Sequence, residues 1–389
     1  MIKWAALVGR VGLVAGMVAG LVTSLATLVI VGATFNAVQA GERQNSDAMI
    51  NKAPVNHNLL KETQAVVLMY HHFGVEKHAS TNIRLSQFDA HLDYLEKEGY
   101  EIWPLRKIVK YVEANRVFPA RVVAITIDDA YKSVFTEAYP RLKKRGWPFT
   151  VFVASDGVDS HFPAYMSWPQ MREMQDNGAS FENHSASHDY LIRVMSGETE
   201  KQWQVRIRAD ILKAQRRIEE ELGRSSTLFA YPYGEYNTAL ATLVAELGLR
   251  AFGQQSGPVG LGADTRSMPR FPMAERFAEM ADFKQKVASL AFPVLAVQPW
   301  DPLLSAPVNP DAAPQMRLHL AKSSARLAQL SCFVSGQGRV DVKWLDRADR
   351  LFMLQAPQPL QGGRSRYNCT APSTQPGRYY WFSHLWISN

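Results

Sequence analysis

Arg121 to Tyr131 reads RVVAITIDDAY. Apolar and mostly β-branched residues run without alternation into two adjacent aspartates. An uninterrupted apolar run of this length predicts a strand buried on both faces, as in the parallel sheet of an α/β protein. Isolated carboxylates are costly to bury unless they are paired or metal-bound. The carboxyl ends of the strands are also where barrels and open α/β sheets hold their active sites. Asp128 and Asp129 are therefore read as a catalytic pair. The plainer alternative is an acidic turn with Asp129 capping the helix that follows.

The flanking sequence repeats the pattern. Upstream, Ala65 to Tyr70 (AVVLMY) is a second apolar run of strand length, and it delivers His71 and His72 at its end. Phe88, Leu92 and Leu95 recur at helical spacing from Ser86, with Gly99 placed as a C-terminal cap. Further helices are expected over 105–115 and 133–145, and a strand over Pro148–Ala154. Ser167-Trp168-Pro169 opens a helix that Gly178 ends. Ala179 to His188 (ASFENHSASH) follows as a short strand ending in two histidines four apart, which share one face if that segment is helical. From Thr199 to Leu222, apolar residues step by three or four behind a capping box, and Gly223 terminates the helix. Strands are expected at Thr227–Tyr233 and Arg250–Gln254, with a helix over 237–247 between them and a last helix reaching about Leu290. Strands alternating with helices predict a parallel sheet.

The 389 residues leave room for a large domain and a smaller one. The net charge of +7 is dispersed and has no basic run of the kind that nucleic-acid arms carry, so nucleic acid is not an expected partner. Val11 to Phe35 is almost wholly apolar behind Lys3 and Arg10, and Val38-Gln39-Ala40 offers a cleavage site. Residues 1–40 thus read as a long signal peptide or an uncleaved membrane anchor through residues 11–35. Either exports the rest, as a periplasmic or cell-envelope protein that is soluble after cleavage near Ala40 or held in the inner membrane. Residues 41–63 read as a tether. Residues 291–314 hold six prolines and no periodicity, and are expected to be a linker or an extended wrap. From 315 to 389, short alternating runs between Gly, Pro and Asn predict a small all-β domain. In an exported chain Cys332 and Cys369 are expected to pair, stabilising this domain by roughly 4 kcal/mol in the chain-entropy model. Trp344 and the aromatics of 379–386 are dense there. Both alternating sets of the last strand are apolar or aromatic, so one set could offer a sugar-stacking face.

Asp129, His184 and His188 together make a competent catalytic metal site, with positions left open for water and substrate. A bound metal lowers the pKa of its water and polarises a carbonyl. Asp128, beside a ligand but not itself bound, could accept the proton of that water. His71 could protonate the leaving group, and a backbone N–H near Tyr233 could share the oxyanion charge. This set suits hydrolysis of an amide or ester. No Gly-x-Ser-x-Gly, P-loop or Gly-x-Gly-x-x-Gly is present.

Three motifs in this order and spacing carry a family resemblance: Thr126-Ile127-Asp128-Asp129, His184-Ser185-Ala186-Ser187-His188 and Ala230-Tyr231-Pro232-Tyr233-Gly234. They resemble the polysaccharide deacetylase (NodB-homology, carbohydrate esterase family 4) family over about residues 64–290. The resemblance implies an α/β fold, a deformed (β/α) barrel, that removes acetyl groups from N- or O-acetylated sugars with a divalent metal. That metal is expected to be zinc, with nickel or cobalt as alternatives. Carried over by position, Asp128 is the general base, Asp129, His184 and His188 are the metal ligands, and the Tyr233 N–H is the oxyanion donor.

Two departures matter. Ala230 stands where most members carry an arginine that orients the base, and no Leu-x-His motif follows the last strand. Leu318-His319 is out of register for it. Both departures resemble the branch that deacetylates poly-β-1,6-N-acetylglucosamine in the cell envelope, where the barrel is permuted and an early Tyr-His motif supplies the acid. Tyr70-His71-His72 fits that motif, with His71 as the acid. Arg270 is the expected source of the missing orienting charge. Trp168, Tyr231 and His72 are the expected substrate-binding residues. The implied partners are an acetylated polysaccharide and, in the envelope, polysaccharide export components. The glycosidase domain of some relatives is not expected, because about 75 residues of β pattern cannot hold a second barrel.

Overall fold

The computed structural model describes residues 63–304 and 313–388. The expected signal or anchor and nearly all of the expected tether lie outside the described residues. Among the described residues no helix is long and apolar enough to cross a membrane.

Six parallel strands form the first sheet in chain order. They are β1 (Gln64–Tyr70), β2 (Val122–Ile127), β3 (Phe149–Val153), β4 (Ala179–Asn183), β5 (Leu228–Ala230) and β6 (Arg250–Phe252). β7 (Val259–Gly260) adds antiparallel to the start of β1, and β8 (Phe271–Pro272) pairs parallel with its end. Met268 bridges Phe252 of β6 while Phe271 pairs with Leu68 of β1. Residues 268–272 thus span the two edge strands and curl the sheet into a deformed (β/α) barrel.

Period-two alternation decides what each strand offers. Val66, Leu68 and Tyr70 of β1, with Val123, Ile125 and Ile127 of β2, pack outward against Phe88, Leu92 and Leu95 of the helix Leu85–Lys97. The other face of the strands carries Val67, Ala124, Phe152, Ala230 and Phe252 inward, where the helix Leu105–Glu113 packs with Leu105 and Ile108. Asp128 continues the inward series Val122, Ala124, Thr126. The small residues before it leave room for a long side chain from across the barrel. The helix Glu200–Leu222 is capped as the sequence predicts, by the Thr199–Gln202 box and by Gly223 at φ +67°. The helix expected over 133–145 instead begins with a π-type turn at Val134–Ala138 before an α segment, Tyr139–Lys144. Pro140, which lacks an N–H, sits at the junction.

The second domain is a β-sandwich, and it starts earlier than the proline pattern suggests. β9 (Leu290–Ala291) pairs with β17 (Tyr379–Ser388), and β10 (Val294–Gln298) pairs with β11 (Gln315–Leu320). Residues 301–304 are also engaged. Asp301 caps Thr238 N–H at 2.9 Å, and Leu304 N–H donates to Ile387. The described part of the expected linker is therefore built into the fold. Its prolines sit between and beside strands, where no ladder N–H is required. The five-stranded sheet runs β9–β17–β16–β12–β13 (β12 Ser331–Val334, β13 Gly338–Val340, β16 Gly363–Pro372). The four-stranded sheet runs β10–β11–β15–β14 (β14 Lys343–Asp346, β15 Leu351–Gln355). The Cys332–Cys369 disulfide joins register partners on β12 and β16.

Both faces of β17 take part in packing. Tyr380 and Trp386 enter the sandwich core with Phe382 packed against it. Leu385 and Ile387 join Trp203, Ile207 and Tyr231 of the barrel, and Trp381 meets Phe271 edge-on at 5.3 Å. Most of the second apolar set fastens the sandwich to the barrel, and Tyr379 at the start of the strand stays exposed.

Candidate active site

The carboxyl ends of β1, β2, β4 and β5 converge on a cluster of buried polar groups. Asp128 N–H donates to Tyr70 O at 2.9 Å, so the β1–β2 ladder carries His71 alongside the aspartates. Arg270 arrives from the segment that closes the barrel. Its guanidinium is fully buried and forks onto Asp128, with Nη1–Oδ1 at 2.7 Å and Nη2–Oδ2 at 2.8 Å. Its Nε donates to Gly253 O at 3.0 Å and its Nη1 to Thr126 Oγ1 at 3.2 Å. A bidentate fork fixes both the position and the plane of the carboxylate. Burial pushes the Asp128 carboxyl up, but Arg270, with His184 and His71, outweighs it and holds the group below its ordinary value. His71 Nε2 stands 3.9 Å from Asp128 Oδ2. Burial lowers the His71 pKa, and Asp129 and Asp128 oppose that shift.

Asp129 lies beside this pair in a left-handed backbone conformation (φ +72°), as does Ala130 (φ +56°). Its Oδ1 is 3.2 Å from His184 Nε2 and 3.0 Å from His188 Nε2, is buried, and accepts no hydrogen bond from a described residue. His184 Nδ1 lies 2.7 Å from Ala230 O and donates to it, which leaves Nε2 with a free lone pair. Three ligand-type atoms thus converge within 4.8 Å of one another. An unsatisfied buried carboxylate oxygen close to the Nε2 atoms of two imidazoles is a donor set a divalent ion takes, so these residues fit the metal that the resemblance implies. Burial raises the Asp129 pKa, yet the imidazoles of His184, His188 and His71 bring it well below the ordinary carboxylate value.

The histidine loop is not the helix that its spacing suggests. Residues 184–188 form an irregular turn with φ +66° at Ser185 and +57° at His188. Asn183 Oδ1 accepts from Ser185 N–H at 2.8 Å, and Ser185 Oγ accepts from His188 N–H at 3.0 Å. Asp210 of the long helix accepts from Ala186 and Ser187 N–H at 3.1 and 3.0 Å. These bonds fold the loop back so that the two imidazoles meet at a 4.8 Å centroid distance. Asp210 escapes a sequence reading because it sits beside an apolar stripe. Its only signal is a carboxylate interrupting Ile207 and Ile211. Five of the ten described non-glycine residues with positive φ (Asp129, Ala130, Ser185, His188 and Tyr233) lie in these loops, a concentration of strain typical of functional sites.

Tyr233 joins the cluster. Its ring stacks on Tyr190 at 4.0 Å and meets His188 edge-on at 4.7 Å. His72 is sandwiched between His78 (4.5 Å) and Tyr131 (3.7 Å), and Tyr131 stacks on Tyr165 (5.3 Å). This aromatic row begins at the residue after Ala130, and the sequence reading did not single it out. The other two substrate-binding candidates are elsewhere. Trp168 is buried in the outer core with Nε1 donating to Asp159 at 2.8 Å. Tyr231 points outward from β5, fully buried, with its hydroxyl donating to Arg266 O at 2.8 Å. Strand alternation explains Tyr231, since its neighbour Ala230 takes the inward position. Leu318-His319 lies in β11, where His319 faces Asp349 at 3.0 Å.

Residues 115–252 match the family model described as polysaccharide deacetylase. This chain carries a polysaccharide deacetylase domain. The match begins after His71 and ends before Arg270, so two members of the buried polar cluster lie outside it. Among similar proteins, Bacillus subtilis YxkH is 27% identical over 177 residues, covering 46% of this chain and 59% of that protein. The Staphylococcus aureus poly-β-1,6-N-acetyl-D-glucosamine N-deacetylase is 26% identical over 208 residues, covering 49% of this chain and 71% of that one. Among solved structures, IcaB of Ammonifex degensii is 25% identical with a TM-score of 0.50, covering 58% of this chain and 96% of that one. The Streptococcus pyogenes deacetylase PplD, 22% identical with a TM-score of 0.53, shares the fold over 58% of this chain and 99% of its own. The deacetylase domain is thus related to IcaB.

Proposed function

We propose that this chain is a metal-dependent hydrolase that removes N-acetyl groups from an N-acetylglucosamine polymer in the cell envelope, with poly-β-1,6-N-acetylglucosamine as its substrate. The observation that carries the reading is the pairing of two differently dressed aspartates. Asp129 holds an unsatisfied oxygen close to the Nε2 atoms of two imidazoles, and its neighbour Asp128 is clamped by Arg270. A divalent ion, zinc by the ligand set, would be held by Asp129, His184 and His188 and would supply Lewis acidity and a more acidic water.

The chain's own residues then divide the work. Asp128, oriented by Arg270 and ionised at neutral pH, takes the proton of the attacking water. The Tyr233 N–H stabilises the oxyanion as the acetyl carbon becomes tetrahedral. His71, beside Asp128, donates a proton to the departing sugar nitrogen. The polymer comes from the name of the staphylococcal relative and from the early Tyr70-His71 motif. Export rests on the apolar amino terminus, and a disulfide suits an oxidising compartment.

The test is acetate release from β-1,6-linked N-acetylglucosamine oligomers beside chitin oligomers, with zinc-loaded protein, with and without chelator. Chelator-sensitive release from the β-1,6 series is expected. Release from chitin alone would keep the chemistry and replace the substrate. No release from either by metal-loaded protein would overturn the assignment.

A further inference from the structure

The sandwich reaches into the motif that holds the oxyanion donor. Arg364 lies on β16 opposite Ile387, on the sheet face that packs toward the barrel. Its Nη1 donates to Tyr233 O at 2.5 Å, and its Nε stands 3.6 Å from Oε1 of Glu235, a buried carboxylate two residues on. Its Cζ lies 5.8 Å from the Tyr233 ring centroid. One guanidinium from a separate domain thus touches the backbone of Tyr233 and the side chain of Glu235, and lies against the Tyr233 ring.

Tyr233 needs such support. It holds φ +59° and ψ +3°, a left-handed conformation that a bulky residue adopts only when its surroundings enforce it. Gly234 follows with φ +72° and so little room that an added Cβ would meet Gln254 N at 2.9 Å. Within the barrel, the ring contacts to Tyr190 and His188 restrain the Tyr233 side chain. The carbonyl is restrained by Arg364. Fixing that carbonyl sets the peptide after Tyr233, and with it ψ of the residue whose N–H is the proposed oxyanion donor.

We propose that Arg364 of the sandwich domain is a positioning residue for hydrolysis, holding the Tyr233 backbone in its strained geometry, so that the second domain completes the active site. This rests on the function proposed above. It goes beyond it, because the family match ends at residue 252 and includes no part of the sandwich.

The test uses the full chain loaded with zinc, compared with Arg364→Ala and Arg364→Lys, on a short acetylated substrate that spans only the reacting sugar and its neighbours. Arg364→Ala is expected to lower kcat about 10- to 100-fold, less than the loss of an oxyanion donor itself. KM should stay within about twofold and zinc content should be unchanged. Arg364→Lys keeps one donor and is expected to recover part of kcat. Amide exchange in residues 232–236 should quicken in Arg364→Ala. An unchanged kcat, or a raised KM with kcat intact, would overturn the proposal. If the unaltered protein releases no acetate from any substrate, the functional reading fails instead. Exchange then decides the positioning claim alone: faster in Arg364→Ala upholds it, and unchanged overturns it.

Discussion

The barrel interior buries two carboxylates against arginines, and they differ in what else reaches them. Glu182 of β4 pairs with Arg106 of the helix Leu105–Glu113, while its Oε2 accepts N–H bonds from Thr227 and Leu228 at 3.0 Å each, at the start of β5. Every oxygen is committed to holding elements together. Burial keeps its pKa raised despite Arg106. Asp128 receives a full fork from Arg270, yet it borders Asp129, His71 and His184, and its pKa is lowered. A buried ion pair is therefore not itself a sign of chemistry. What separates the two is whether further titratable groups converge with lone pairs to spare.

Substitutions around the two carboxylates should separate these roles. Asp128→Asn is expected to lower acetate release about 10²- to 10⁴-fold, the range of a lost general base, with zinc content unchanged. A near-normal rate would remove Asp128 from that role. His184→Ala should leave the protein unable to retain stoichiometric zinc after dialysis, as read by elemental analysis. Undiminished zinc would break the ligand assignment. Arg270→Met should cut turnover and also cost about 3–5 kcal/mol in denaturant unfolding, because it strands a buried carboxylate. Glu182→Gln sharpens the contrast. It should cost about 1–3 kcal/mol of stability while kcat stays within about twofold.

A further contrast concerns histidines. His188 sits above its ordinary pKa, because Asp129 and Asp128 outweigh its burial. His384 of the sandwich has only burial acting on it and is pushed down to about 3. Below about pH 6.5 the unfolded chain binds a proton at His384 that the folded chain refuses. Stability from this group is thus full above pH 6.5 and declines as pH falls toward about 3, by at most about 1.4 kcal/mol per pH unit. His384→Leu should flatten the fall in melting temperature between pH 6.5 and 4. An unchanged slope would locate the acid sensitivity elsewhere, for example at His91, lowered to about 4.

Local chemistry and period-two alternation made much of the site readable. The strand before Asp128 and the capping of Glu200–Leu222 follow from nearest-neighbour physics, and the cysteine pair follows from there being only two cysteines in a chain read as exported. The expectation that Asp129, His184 and His188 meet rested on their chemistry as a ligand set and on the motif resemblance, and the three side chains do converge. Where the reading failed, distant packing decided. The prolines of 291–304 suggested a linker, but those residues pair with strands from β11 and β17. Trp168 and Tyr231 were assigned to the substrate by motif, whereas their rings fill the core. The last strand offered two apolar faces, and only the packing of sandwich on barrel shows that both take part in it.

By itself the sequence determined which polar residues stand at the carboxyl ends of which buried strands. The cause is local: a run of β-branched residues must become a buried strand, and polar residues at its end must then find partners. The tertiary structure decided the groups that arrive from far away in the chain. Arg270 comes with the segment that closes the barrel, Asp210 with a helix flank that pins the histidine loop, and Arg364 with a second domain. Each acts through one or two hydrogen bonds at a fixed distance, and no spacing along the chain encodes such a meeting.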